Sequence, residues 1–413
     1  MWNVFGPGLV TGAADDDPSG IATYSQAGAQ FGYTFTWTLF LTLPFMVAVQ
    51  TVSACIGWST KSGLAANIGK QLPRPILMMV VALLVIANTV NIAADLAAMG
   101  EALTLVIGGY TFLYAFLFGL LCVVAEVLIP YHRYAGYLKI TTFVLFIYVA
   151  TAFTIKVPWA EVIRSAFIPD FSFSRDAFLM LVAVFGTTIS PYLFFWQAGQ
   201  EAEESRLSYR HKHRRKKLSG SELRHISIDT WIGMIVSNVV AFFIMVTTAA
   251  TLHSAGVTNI QTAAQAAEAL RPLAGELTFL LFGAGIIGTG MLAVPVLAGS
   301  AAYAVAETFG IRGSLELPVS RAIGFYALIG TATLAGAILT ATRIDPIAML
   351  FWAAVINGVT AVPIIVAMML VAGKRPKGRK TERVALPRWL RWLGWATAAL
   401  MALATAGLAL PGF

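Results

Sequence analysis

Charge is what this chain has least of. Only 12% of its 413 residues are Asp, Glu, Lys or Arg, about half of the roughly 25% usual in soluble domains. Long runs carry none at all, among them 76–94, 104–125 and 230–252. With 58% hydrophobic residues, such runs exclude a soluble globular fold and imply an all-α, polytopic membrane protein. Cysteine is nearly absent too. The two present, Cys55 and Cys122, fall inside apolar segments and read as small buried hydrophobes, which excludes a disulfide framework and a thiolate metal centre. Histidine is equally sparse: His132, His211, His213, His225 and His253 all lie in or beside expected loops. The HKH of 211–213 reads as part of a basic loop. No nucleophile–base pair or imidazole metal site can therefore be built inside the membrane, so neither an enzyme nor a cofactor is expected. The opening MWNVFGPG has no basic n-region or cleavage site and is not a signal peptide. It stands so close to the first apolar segment that a natural tail is expected to precede it.

A spanning helix needs about 20 apolar residues. Eleven segments qualify, near 4–30, 35–58, 75–98, 106–129, 136–156, 176–203, 226–252, 276–308, 319–341, 345–372 and 388–410. With the N-terminus placed in the cytoplasm, the connections on that side and their segment edges hold 23 of the 28 Lys and Arg residues. This asymmetry is the positive-inside signature, so the C-terminus is expected outside a cell membrane. The runs RLSYRHKHRRKK (206–217) and KRPKGRKTER (374–383) then serve orientation and contact with anionic lipid in the bilayer. The net charge of +8 needs no nucleic-acid partner, because no recognisable nucleic-acid module accompanies it. A monomer is expected.

Two segments are broken in matching places. TGAADDDPSGIATYSQAG (11–28) carries Pro18, and VAVFGTTISPYLFFWQAGQ (182–200) carries Pro191; each sits in the first segment of a five-segment block. Five is odd, so the second block enters the membrane from the opposite side. The blocks are expected to be inverted repeats, 1–157 and 158–372, followed by a basic linker and eleventh span over 373–413. Paired interrupted helices at corresponding positions are the sequence mark of a transport site near the bilayer midplane. Proline removes a helical N–H and frees the carbonyl one turn back, and within the membrane that carbonyl must find a partner. From Val4 the chain would rise about 20 Å to Asp17, well inside the bilayer.

Asp15, Asp16 and Asp17 cannot face lipid, where each would cost on the order of 2.5–3.5 kcal/mol. Neighbours on a helix lie about 100° apart, so the three cannot share one pocket while the helix persists. Asp17, at the opening beside the proline, is the candidate direct cation ligand. Asp15 and Asp16 read as outer-shell or vestibule charges that concentrate cations. Asn88, Asn91 and Asp95 lie at helical spacing on the third segment, with Asp95 near its outer end. These asparagines suit a pathway or interhelical hydrogen bonds; Asn357, in INGVT, has the same two readings. Gln197, Gln200, Glu201, Glu203 and Glu204 crowd the inner end of the sixth segment. TNIQTAAQAAEALR (258–271) suggests an external surface helix that gates.

The run GPGLVTGAADDDPSGIATYSQAGAQFGY resembles the first span of the natural resistance-associated macrophage protein (NRAMP) family of divalent metal transporters, with its D-P-G-N signature and Q-A-G-A segment. TTISPYLFFWQ resembles that family's sixth-span M-P-H region. The resemblance covers nearly the whole chain. It implies the fold first seen in a bacterial leucine transporter, with the ion held between two broken helices. It also implies that Asp17 binds metal and that Ala14 and Thr187 offer backbone carbonyls. Three departures stand out. Gly20 replaces the asparagine of D-P-G-N, Ser190 replaces the methionine whose sulfur binds transition metals, and Tyr192 and Gln197 stand where the family has histidines. An all-oxygen, wider site favours hard, hydrated ions. This pattern resembles the NRAMP-related magnesium transporters.

The expected activity is therefore secondary transport of Mg²⁺, with Mn²⁺, into the cell by alternating access and without strict proton coupling, since no histidine lies in the membrane. Ca²⁺ is expected to be excluded for want of enough direct ligands. A proton-coupled Mn²⁺/Fe²⁺ importer, or a sodium-coupled organic-solute symporter on the same fold, are the alternatives.

Overall fold

The computed structural model describes residues 7–129, 142–212, 220–341, 344–373 and 386–409. All regular structure among them is helical. The first membrane segment is split into α1 (Pro7–Asp15) and α2 (Pro18–Phe31). It is followed by α3 (Thr36–Thr60), a short α4 (Leu64–Gln71), α5 (Arg74–Ile107) and α6 (Thr111–Leu128). Next come α7 (Phe146–Thr154) and α8 (Trp159–Phe167), bent 119° from each other. The second split segment is α9 (Arg175–Thr188) and α10 (Pro191–Lys212). After it run α11 (Gly220–Thr248), α12 (Thr278–Phe309), α13 (Ile323–Leu339), α14 (Pro346–Gly373) and α15 (Arg388–Gly407). Each of the eleven expected segments coincides with one of these helices or broken helices. The start of the fifth, His132, His213 and the run 374–383 lie outside the described residues, as do residues 213–217 of the basic run. By length and composition seven stretches among the described residues can cross a membrane alone, or eight with the bent pair; α13, with 17 residues, is apolar but shorter.

Two local expectations are corrected. The third segment does not stop at 98: α5 continues to Ile107 and ends only at Gly108, whose φ of 74° no residue with a Cβ adopts readily. Its 34 residues make a helix about 51 Å long. Asp95 therefore lies well inside the helix rather than near its outer end. The stretch 258–271 is not one surface helix. Thr262 caps a series of short helical turns whose Ala263, Ala266, Ala267, Ala269 and Leu270 are buried. The Ala263 amide is anchored on the Glu101 carboxylate of α5 at 3.1 Å. Outside the expected segments, α4 and α8 are short helices. In α8 Val162 and Ala166 are buried while Glu161 and Ile163 face outward, a one-sided pattern too short to register as a span.

α5 runs through the middle of the bundle, packed by α12, α14, α6 and α13. α1 lies along α11, α2 along α11 and α14, α9 along α14, and α10 along α3 and α12. The α1–α11 contact is close enough that only glycine fits: a Cβ on Gly12 would overlap the Gly233 backbone, and one on Gly233 would overlap the Gly8 carbonyl. Small residues of this kind let membrane helices approach backbone to backbone. The free N-terminus of α1 is closed by α11 as well, through the Gly8 amide donating to Asp229 Oδ2 at 2.6 Å. Gly233→Leu should thus overpack the pair and cost about 1–3 kcal/mol. Thermal unfolding in detergent should show a lower midpoint for this variant than for Gly220→Leu, where nothing lies within 4 Å of an added Cβ.

Candidate functional site

Both helix breaks follow from a missing proline N–H. At the first, the Ala14 carbonyl would ordinarily accept from residue 18, which is proline; at the second, Thr187 would accept from Pro191. The orphaned groups are satisfied in different ways. The Ser190 hydroxyl turns back onto its own helix, lying 2.8 Å from the Gly186 oxygen and 2.9 Å from the Thr187 oxygen. The Ala14 oxygen instead accepts the Tyr192 hydroxyl at 2.8 Å, from the first turn of α10. One broken helix thereby completes the hydrogen bonding of the other.

Asp17 stands at this junction as the N-cap of α2. Its Oδ1 accepts the Gly20 amide at 2.7 Å. Its Oδ2 accepts the Asn91 amide of α5 at 3.0 Å and lies 3.4 Å from the Tyr192 hydroxyl, whose single hydrogen is aimed at Ala14. Asp95, one helical turn beyond Asn91, is fully buried beside Asp17 and the Ser19 backbone. The Ser19 amide is the donor beside its carboxylate, and neither oxygen has a partner in good hydrogen-bond geometry. The Ser19 hydroxyl donates to the Leu350 carbonyl at 2.9 Å and fixes the start of α2 on α14.

Asp15 and Asp16 face the other way. Both lie within hydrogen-bond distance of the single Ser237 hydroxyl of α11, Asp15 Oδ2 at 2.6 Å and Asp16 Oδ1 at 3.0 Å. With exposures of 1% and 4% they are not vestibule charges in water. The proximity of α1 to α11 at Gly12 and Gly233 carries them into the protein.

The expected residues therefore divide. Ala14, Asp17, Gly20, Thr187, Ser190 and Tyr192 come together at the crossing of the two breaks. Gln197 does not join them: it lies further along α10 and donates to Thr230 of α11 at 3.1 Å. Asn357 is buried on α14, and no hydrogen bond among the described residues ties it to Asp17. The extra room expected at Gly20 is also not there. A Cβ at that position would stand 3.1 Å from Thr187 Oγ1, 3.3 Å from the Asp15 carbonyl and 3.4 Å from the Tyr24 ring. Neighbouring side chains have closed into the space a longer residue would fill.

Two members of the cluster, Asn91 and Asp95, were visible in the sequence only as a helical face; their place beside Asp17 was not. Ser237, a lone serine in an apolar run, gave no signal. Asn88, by contrast, makes interhelical hydrogen bonds, to the Leu297 carbonyl at 2.8 Å and Ser300 at 2.7 Å.

The chemistry of the cluster is one-sided. Four buried carboxylates, Asp15, Asp16, Asp17 and Asp95, sit in neighbouring turns, and no Lys or Arg is buried among the described residues. Asp15 Oδ1, Asn91 Oδ1 and both Asp95 oxygens are buried acceptors without a well-aligned donor. Such a set is costly unless a positive charge is supplied. A cavity of about 410 Å³ reaches down α2 from its far end, lined by Gln30, Gln26, Ala22, Asp176, Asn259 and Asp345. Ala22 is five residues from Asp17, about 7.5 Å along the helix.

The family model described as natural resistance-associated macrophage protein-like matches residues 8–410. A divalent metal cation transporter, MntH, from Yersinia enterocolitica is 29% identical over 301 residues, covering 70% of this chain and 69% of the relative. The MntH of Pectobacterium carotovorum is 26% identical over 332 residues, covering 78% and 76%. Among solved structures, the Eremococcus coleocola manganese transporter superposes with a TM-score of 0.71 at 17% identity, covering 97% of this chain and 84% of that one. Mhp1, a nucleobase-cation-symport-1 transporter, does so with a TM-score of 0.57 at 14% identity, covering 98% and 93%. These likenesses establish the leucine-transporter-type fold.

The bridge from Tyr192 to Ala14 can be tested on its own. Tyr192→Phe leaves a buried carbonyl without a donor, at an expected cost of about 1–3 kcal/mol. Thermal unfolding in excess chelator should report the loss; an unchanged midpoint would mean that the bridge contributes nothing.

Proposed function

Because the chain belongs to the natural resistance-associated macrophage protein-like family, we propose that it carries a divalent metal ion across the cell membrane between the two broken helices. The ion is Mg²⁺, with Mn²⁺ accepted. The observation that carries this reading is the surplus of buried acceptor oxygens around Asp17 with no buried cationic side chain among the described residues to answer them. Asp17 and Asp95 supply the carboxylates, Asn91 its amide oxygen, and the carbonyls of Ala14 and Thr187 become ligands when the Tyr192 and Ser190 hydroxyls turn away. Gly20 holds the carboxylate in place through its amide. Asp16, Gln197 and Asn357 act outside the coordination sphere, Asp16 through Ser237.

Oxygen donors of this kind suit Mg²⁺ and Mn²⁺ rather than softer ions. Mg²⁺ usually keeps several waters and takes one or two carboxylates from protein. A longer ligand list than the sequence offered removes ligand shortage as the ground for excluding Ca²⁺; discrimination against it rests on fit. The inverted repeats 1–157 and 158–372 form the site between them and expose it to each side in turn, and 373–413 is appended to them. The end carrying the α3–α4 connection is the cytoplasmic one, so the cavity along α2 is the outer entrance. Inward movement follows the membrane potential, worth about 4.6 kcal/mol for a divalent ion at 100 mV. No proton partner is required.

One observation favours a second reading, the proton-coupled transition-metal importer. Asp15 and Asp16 share one serine hydroxyl and can carry protons beside the metal. Met99 also packs against Gly290 next to Pro18, bringing a thioether near the break from α5 rather than from α10. Uptake of Mg²⁺, Mn²⁺ and Ca²⁺ into proteoliposomes with a lumenal pH dye separates the two. The uncoupled magnesium reading expects Mg²⁺ uptake driven by voltage without lumenal acidification. Asp17→Ala should reduce uptake by a hundredfold or more, and Ser190→Met should shift preference toward Mn²⁺ and softer ions. Stoichiometric acidification that is lost in Asp16→Asn would establish the second reading instead.

A further inference from the structure

A second cavity, of about 520 Å³, lies between α6, α10, α13 and the segment that joins α12 to α13. Its walls include Glu126, Gln200, Glu203, Glu316 and Tyr326. Glu126 is 5% exposed, and neither of its carboxylate oxygens has a hydrogen-bond partner. Across the cavity Glu203 is equally buried and accepts the Tyr303 hydroxyl at 2.8 Å, while the Gln200 amide approaches the same hydroxyl at 3.3 Å. Glu316 stands exposed at the rim.

A buried carboxylate with both oxygens unpaired, facing a polar cavity, is costly to keep unless a cation reaches it. Among the described residues the walls offer carboxylate and amide oxygens and no thiol or imidazole, so a hard ion fits best. The space exceeds what a bare ion needs and accommodates one with its water shell, given that a liquid water occupies about 30 Å³. We propose that this cavity is a separate binding site for a hydrated divalent cation, with Glu126 as direct ligand and Glu203 and Gln200 reached through water. Its position gives it a role. Gln200 and Glu203 lie on α10, which begins at the break; Gln200 is nine residues from Pro191, about 13 Å along the helix. An ion leaving the helix breaks along α10 meets this cavity as the next carboxylate-lined stop, and the site stages the ion before it reaches the surface.

The test is a Mn²⁺ titration of the full chain in detergent, followed by loss of the free-ion electron paramagnetic resonance signal. The unaltered chain should bind two ions, Glu126→Gln one and Asp17→Asn one, with none left in the double variant. Anomalous scattering at the manganese edge should place the ion lost in Glu126→Gln between α6 and α10. Should Glu126→Gln fail to fold, Glu203→Gln addresses the same cavity and should weaken one of the two ions at least fivefold. An unchanged count and affinity in the Glu126 and Glu203 variants would overturn the proposal. Asp17→Asn reports on the helix-break site alone, so failure there is distinguishable from failure here.

Discussion

The hydrogen bond from the Tyr192 hydroxyl to the Ala14 carbonyl is the contact on which the centre of the molecule depends. In the hydrocarbon layer a backbone carbonyl cannot turn to water, so a helix broken by proline is viable only if something else answers it. Here the answer comes from the other broken helix. The contact makes the two interruptions mutually necessary: α1 cannot end where it does without the first turn of α10, and that turn is set by Pro191. Asp17 is placed by the same junction, capping α2 while it accepts from Asn91 and lies beside Tyr192.

Around this bond the structure gathers negative charge and withholds positive charge. The three consecutive aspartates divide their work because the helix ends among them: Asp15 closes α1 and Asp17 caps α2. Asp17 turns toward α5, whereas Asp15 and Asp16 turn toward Ser237 on α11. Asp95 adds a fourth carboxylate from a helix that contributes no other acid at that depth. A bundle assembled this way is electrostatically incomplete by itself, and that incompleteness is the physical basis for assigning it a cationic substrate.

The global architecture was legible because the bilayer imposes a single length scale. Apolar runs of about 20 residues, two prolines in equivalent segments and the distribution of Lys and Arg are one-dimensional signals. What stayed hidden was whatever depends on which faces meet. Asp95 was assigned to a helix end because α5 was cut to a standard span, whereas it runs until Gly108 permits a stop. Gly20 suggested empty space, but a missing side chain leaves a void only if neighbours stay put, and Thr187 and Tyr24 do not leave it open. Ser237 could not be singled out at all, since its importance comes from the α1–α11 crossing rather than from any pattern around it.

That crossing has a mechanical consequence. With the Gly12 and Gly233 backbones in near contact and Asp229 clamping the first amide of the helix, α1 has no freedom to slide lengthwise. A shift by one turn would drive side chains into a groove cut for hydrogen atoms. α1 and α11 are held in one register, and the two non-helical residues Asp16 and Asp17 separate that locked pair from α2.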